Sequence, residues 1–201
     1  MLYAITDSGL MPGPKLIEKS EAALKGGCRW LQYRDKSEDA AKRLTEAQKL
    51  KALCDQYDAK LLINDDLELA LAVDAHGLHL GQEDGSLSKA REALGENAIL
   101  GITCHDQLHL ARQGLGYGAS YIAFGRFFPS KTKPNAKAAP LTLLAQAKAL
   151  GVPVIAIGGI TLENASQIFD AGASAIAVCH SLFACDDVEQ RARDFCRLFD
   201  A

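Results

Sequence analysis

The chain has 201 residues, 48% of them hydrophobic and 23% charged, with a formal net charge of −3. That length suits one domain with a full core, and the charge gives no field that would draw nucleic acid or an anionic membrane. No apolar run approaches the ~20 residues of a membrane-spanning helix. The start, Met1-Leu-Tyr-Ala-Ile-Thr-Asp, lacks the basic opening and apolar stretch of a signal peptide. Six cysteines stand far apart with no Cys-x-x-Cys pair, which predicts buried thiols in a reducing cytoplasm rather than disulfides.

Taken in order, hydrophobic period switches repeatedly between two and 3.6. Leu2 to Ile5 reads as a strand ending at Thr6-Asp7, and Ile17 to Leu24 as a helix stopped by Gly26-Gly27. Trp30, Leu31 and Tyr33 form the next strand, which ends in Arg34-Asp35-Lys36, and a long helix follows through Ala40, Leu44, Ala47, Leu50 and Leu53. Leu61 to Ile63 is a strand ending at Asn64-Asp65-Asp66; after a short helix, Leu78 and Leu80 mark a strand ending at Gly81-Gln82-Glu83-Asp84. Leu87 to Leu94 is helical. Ala98 to Ile102 is a strand, with Asp106 expected to cap the helix Leu108 to Leu115. Tyr121 to Phe124 leads into an irregular stretch from Gly125 to Ala139, then come helix Leu141 to Leu150 and strand Val152 to Ile157. Gly158-Gly159-Ile160-Thr161 turns into helix Leu162 to Ala171, before a last strand, Ala175 to Val178, and a last helix, Val188 to Phe199.

About eight strand–helix alternations with no linker predict parallel pairing with right-handed crossovers and a single (β/α)8 TIM barrel over residues 1–201. A doubly wound open sheet is the runner-up. Such barrels usually run to ~250 residues, so this one is expected to have short loops.

In a barrel, the strand C-terminal ends share one face. Those ends collect Gln32, Arg34 and Lys36; Asn64 and Asp65; Asp84; Thr103 and His105; Ser130, Thr132 and Lys133; Gly158 and Gly159; and Cys179, His180 and Ser181. Two carboxylates and an amide on one rim suit a hard cation such as Mg²⁺ whose shell a substrate phosphate completes. The bland alternative is that Asn-Asp-Asp merely caps the next helix. The glycine turn follows the seventh strand, where barrels of this fold commonly bind phosphate, although a plain tight turn would look the same. With Arg34, Lys36 and Lys133 as counter-charges, the pocket suits one diphosphorylated and one monophosphorylated substrate. His76, His79, His105 and His109 read as core or surface histidines, and Trp30 as packing; no nucleophile elbow or P-loop occurs.

Six motifs occur in order along the chain. They are Tyr3-Ala-Ile-Thr-Asp, Gln32-Tyr-Arg-Asp-Lys, Ile63-Asn-Asp-Asp, Gly77-Leu-His-Leu-Gly-Gln-Glu-Asp, Pro129-Ser-Lys-Thr-Lys-Pro and Ala156-Ile-Gly-Gly-Ile-Thr. Together they resemble the thiamine phosphate synthase (thiamine-phosphate pyrophosphorylase) family over essentially the whole chain. The resemblance implies a transferase of thiamine biosynthesis that joins hydroxymethylpyrimidine diphosphate to hydroxyethylthiazole phosphate with loss of diphosphate. It implies Mg²⁺ on Asp65 and Asp84, with Arg34, Lys36, Asn64 and Lys133 on the departing diphosphate. Gln32 and Thr103 would position the pyrimidine, with Ser130 and Thr132 near the phosphates or thiazole. Gly159 and the backbone at Cys179-His180 would hold the thiazole phosphate. The sequence departs from the family, which often has Val-Ser at Cys179-His180 and Ser at Thr103. The rival expectation is a thiazole tautomerase-like or non-catalytic phosphate-binding relative of the same fold. Partners are expected to be small molecules, with no nucleic acid or membrane, and a homo-oligomer is left open.

Overall fold

The computed structural model describes residues 1–129 and 137–199. Eight strands pair in parallel in sequence order, and the last returns to the first: β1 (Leu2–Ile5), β2 (Trp30–Tyr33), β3 (Lys60–Asn64), β4 (Gly77–Leu80), β5 (Ile99–Thr103), β6 (Tyr121–Gly125), β7 (Val154–Ile157) and β8 (Ala175–Val178). Closure excludes the open sheet. Around the barrel run α1 (Lys15–Lys25), α2 (Ala40–Gln56), α3 (Leu67–Ala72), α4 (Leu87–Leu94), α5 (Leu108–Gly116), α6 (Thr142–Lys148), α7 (Ala165–Asp170), α8 (His180–Phe183) and α9 (Val188–Arg197). Among the described residues, no helix is long and apolar enough to cross a membrane.

Several helices start where a short polar side chain takes an orphan N–H. Asp39 accepts from the N–H of Lys42, Asp66 from Leu69, Ser86 from Lys89 and Asp187 from Gln190, each worth about 1 kcal/mol. Asp106 does not do this. The residue before α5 is Gln107, without a side-chain cap, and Asp106 instead takes the Lys137 ammonium at 2.6 Å. A second difference is α8, a single turn just after β8 that the sequence reading did not include. Four residues are too few to leave a periodic signal.

Strand alternation builds two layers of core. One face of each strand, represented by Leu2, Leu31, Leu61, Leu78, Leu100, Ile122, Val154 and Ile176, packs against the helices. Fully burying such a side chain contributes roughly 1.5–3 kcal/mol. The other face fills the barrel with Tyr3, Leu62, Tyr121, Ile155, Ala175 and Ala177, with Trp30 packed among them. Trp30 is therefore packing, edge-on to Tyr3 at 5.5 Å between ring centroids. Across the rungs, Asn64 faces His79, His79 faces Gly101 and Gly101 faces Tyr121. A Cβ on Gly101 would stand 1.9 Å from the Tyr121 ring. That missing side chain makes room for Tyr121 to lie across the interior, stacked on His79 at 5.6 Å and 21°.

Candidate active site

The C-terminal mouth is built by loops that continue the strand alternation. After β2, Tyr33 and Asp35 turn outward, where the Tyr33 hydroxyl donates to Glu46 at 2.6 Å and Asp35 pairs with Lys42. Gln32, Arg34 and Lys36 fall on the opposite parity and line the mouth. Gln32 is buried, while the Arg34 backbone N–H donates to the Thr6 hydroxyl at 2.9 Å, tying β2 to the end of β1. Arg34 also lies near the end of β8. Burial and the charge of Asp7 push the Cys179 thiol up to about 12, with Arg34 opposing.

At the end of β3 the three consecutive polar residues separate by role. Asp66 caps α3. Asp65 takes a left-handed backbone at φ 64°, a conformation Asp tolerates better than most residues, and so points its carboxylate into the mouth. There Asp65 accepts from the Asn64 amide at 2.6 Å and from the Lys36 ammonium. The cap reading of Asn-Asp-Asp is met by Asp66 alone, which leaves the Asp65 carboxylate in the mouth.

Asp84 lies four residues beyond β4, yet its carboxylate folds back to accept the Gly81 N–H at 3.1 Å. There it comes up against the Asp65 carboxyl. Burial opposes the charge of Asp65, but Lys36 overcomes it and holds that carboxyl below its ordinary range. Burial and the neighbouring Asp65 charge push Asp84 the other way, upward. Two hard oxygen donors held close together, with a lysine ammonium on only one of them, form a site short of positive charge. A divalent cation would relieve the repulsion between them. No group of three or more His, Cys, Asp or Glu side chains with metal-site geometry occurs among the described residues. The protein therefore offers two carboxylates and leaves the other positions to ligand and water oxygens, an arrangement that fits Mg²⁺ better than Zn²⁺.

Across the mouth, Gly158 and Gly159 have φ of 102° and 67°, in the region glycine reaches without strain. Their Cβ positions are taken by neighbours: one at Gly159 would meet the Pro129 and Phe128 carbonyls at 2.3 and 2.7 Å. The turn is thus demanded by the close passage of the segment after β6. The Ser181 hydroxyl donates to the Ile160 carbonyl at 2.5 Å, clasping the β7 and β8 loops together. Gly159, Cys179 and His180 accordingly stand on adjacent loops. Thr103 ends β5, and the Gln82 amide donates to its carbonyl at 2.5 Å. Ser130, Thr132 and Lys133 lie outside the described residues.

One part of the mouth had no counterpart in the sequence reading. The Gln32 amide donates to the Tyr3 hydroxyl at 2.6 Å, which is 3.0 Å from the Tyr121 hydroxyl. That hydroxyl is 2.8 Å from Nδ1 of His79, whose Nε2 is 2.9 Å from the Thr103 hydroxyl. Burial raises the pKa of both phenols, so each keeps its proton. Period-two parity in Gly77-Leu78-His79-Leu80 was the available signal, since it sets His79 opposite the two helix-facing leucines.

A closed (β/α)8 barrel with carboxylates, cations and a glycine turn gathered at its strand C-terminal mouth has the layout of a barrel enzyme. A family model described as thiamine monophosphate synthase matches residues 2–182. A thiamine-phosphate synthase of Saccharophagus degradans is 57% identical over 194 residues, covering 96% of this chain and 89% of its own. One from Marinobacter nauticus is 54% identical over 200 residues, covering 98% and 90%. The solved thiamine phosphate pyrophosphorylase of Pyrococcus furiosus superposes with a TM-score of 0.89 at 32% identity, over 99% of this chain and 95% of that one. The chain belongs to the thiamine monophosphate synthase family.

Proposed function

We propose that this protein condenses hydroxymethylpyrimidine diphosphate with hydroxyethylthiazole phosphate to give thiamine phosphate and diphosphate, in the cytoplasm and with Mg²⁺. The observation that carries this reading is the carboxyl contact between Asp65 and Asp84 beneath Lys36 at the barrel mouth. That contact offers a charge-deficient pair of oxygens beside a cation able to hold a diphosphate.

Asp65 and Asp84 would hold Mg²⁺, and the charge it would supply is electrostatic stabilisation of the departing diphosphate. Lys36 and Arg34 neutralise the remaining charge on the leaving group, and the Asn64 amide donates to it. Lys133, from the segment outside the described residues, has the same role. Gln32 and Thr103 orient the pyrimidine as its methylene cation forms. Gly159 and the Cys179-His180 backbone hold the thiazole phosphate so that the ring nitrogen faces that carbon; Ser130 and Thr132, outside the described residues, serve the phosphates or the thiazole. The attacking nitrogen carries no proton, so no general base is needed.

The test is incubation with both substrates and Mg²⁺ while diphosphate is assayed. Stoichiometric release of diphosphate and thiamine phosphate is the expected outcome. Saturable binding of either ligand without release would identify a sensor instead.

A further inference from the structure

The hydrogen bonds inside the barrel form one connected line from β2 to β5: Gln32, Tyr3, Tyr121, His79, Thr103. Its members come from β1, β2, β4, β5 and β6, and Tyr3, Tyr121, Gln32 and His79 are all buried, at no more than 8% exposure. A line of single-proton hydroxyls has a direction. Each phenol has one proton to give, and a neutral imidazole has one donor and one acceptor nitrogen. Gln32 spends an amide N–H on Tyr3. With a neutral His79, the order that uses each proton once has Tyr3 donating to Tyr121 and Tyr121 donating to Nδ1 of His79. The His79 proton is left on Nε2, where it is donated to Thr103, so the Thr103 hydroxyl is free to donate outward. At the other end, the same amide orientation leaves Gln32 Oε1 as an acceptor. Reversing any one bond reverses both ends together.

We propose that Tyr3, Tyr121 and His79 are positioning residues that present the mouth with an acceptor at Gln32 and a donor at Thr103, and that this polarity sets specificity for a 4-aminopyrimidine over a 4-oxopyrimidine. The inference rests on the pyrimidine reading of Gln32 and Thr103 given above. An amino group beside a bare ring nitrogen offers a donor next to an acceptor, complementary to those ends. A 4-oxo ring with its adjacent N–H offers the opposite order and meets acceptor with acceptor and donor with donor. A buried polar group left unpaired is costly, so discrimination follows from the direction of the line rather than from shape. Gly101 belongs to the device, because any Cβ there would displace the Tyr121 ring.

Two measurements test this. In the wild-type protein, ¹⁵N chemical shifts of the His79 ring are expected to report the neutral tautomer protonated on Nε2; protonation on Nδ1 would overturn the proposal without any variant. The second compares kcat/KM for the amino substrate with that for its 4-oxo analogue in wild type, Tyr121→Phe and Tyr3→Phe, with thermal melts alongside. The amino/oxo ratio is expected to fall about tenfold or more in either variant, with KM for the thiazole phosphate unchanged. An unchanged ratio, with both pyrimidines slowed alike, would assign the tyrosines a purely structural role and sink the inference. A wild type that releases no diphosphate from the amino substrate would instead contradict the proposed reaction, and the tautomer measurement would still decide the polarity.

Discussion

Asp65 combines three constraints: a left-handed backbone, a neighbouring carboxylate and a lysine ammonium on its own carboxylate. Asp65→Asn, which keeps shape and most hydrogen bonding, is expected to lower kcat/KM about 100-fold at limiting Mg²⁺. It should also raise the Mg²⁺ concentration needed for half-maximal diphosphate release. Near wild-type rates under those conditions would remove Asp65 from the metal site.

His76 makes a different prediction, about stability. Its Nδ1 accepts the Leu61 N–H at 3.1 Å, and burial together with Lys51 and Lys60 lowers its pKa below 6.5 despite Asp55 nearby. The unfolded chain therefore takes up this proton at a higher pH than the folded one. Stability from this source is present above about pH 6.5 and is lost as the pH falls through the unfolded value toward the folded one. Melting temperatures recorded between about pH 7.5 and 5 should show this loss. His76→Asn, which keeps an acceptor but cannot titrate, should shrink it.

At the scale of elements, loops rather than strands make the mouth, and glycines decide how closely they fold. Asp84 reaches Asp65 only because Gly81 has no side chain: a Cβ there would stand 2.2 Å from the Asp84 carboxylate. Gly81→Ala is expected to cut diphosphate release at least tenfold, because the second carboxylate is pushed off the shared position. The melting temperature should change by no more than a few degrees, since the turn lies outside the core. A large loss of stability with activity retained per folded molecule would contradict this role. The sequence made the elements themselves legible: α4 and β8 lie where period and turn residues put them, because those signals act between near neighbours. The fold-back of Asp84, the failure of Asp106 to cap α5 and the four-residue α8 were not legible. Each depends on a partner brought in from another element, or on too few residues to carry a period.

For the whole molecule, closure is the decisive event. β1 pairs with β8, and α1 packs on α9 so tightly that a Cβ at Gly26 would meet the Glu189 carbonyl at 2.4 Å. Phe195 on α9 is fully buried in the outer core, where the two ends of the chain meet. Phe195→Ala is expected to lower unfolding free energy by about 3–5 kcal/mol. Urea transitions followed by far-UV dichroism and by tryptophan fluorescence of Trp30 should still coincide, because a closed barrel has no edge from which to unfold in part. Separated transitions would show that the two ends of the chain are less coupled than the packing implies.

The order of strands and helices apart from α8, the outward and inward faces of each strand, and the polar residues that end them follow from the amino-acid sequence alone, because each is set by spacing along a few residues. The proton line through the barrel is another matter. Tyr3 and Tyr121 are 118 residues apart and touch through their hydroxyls; only the closed register of eight strands decides that they meet, and that His79 and Gly101 are placed to let them.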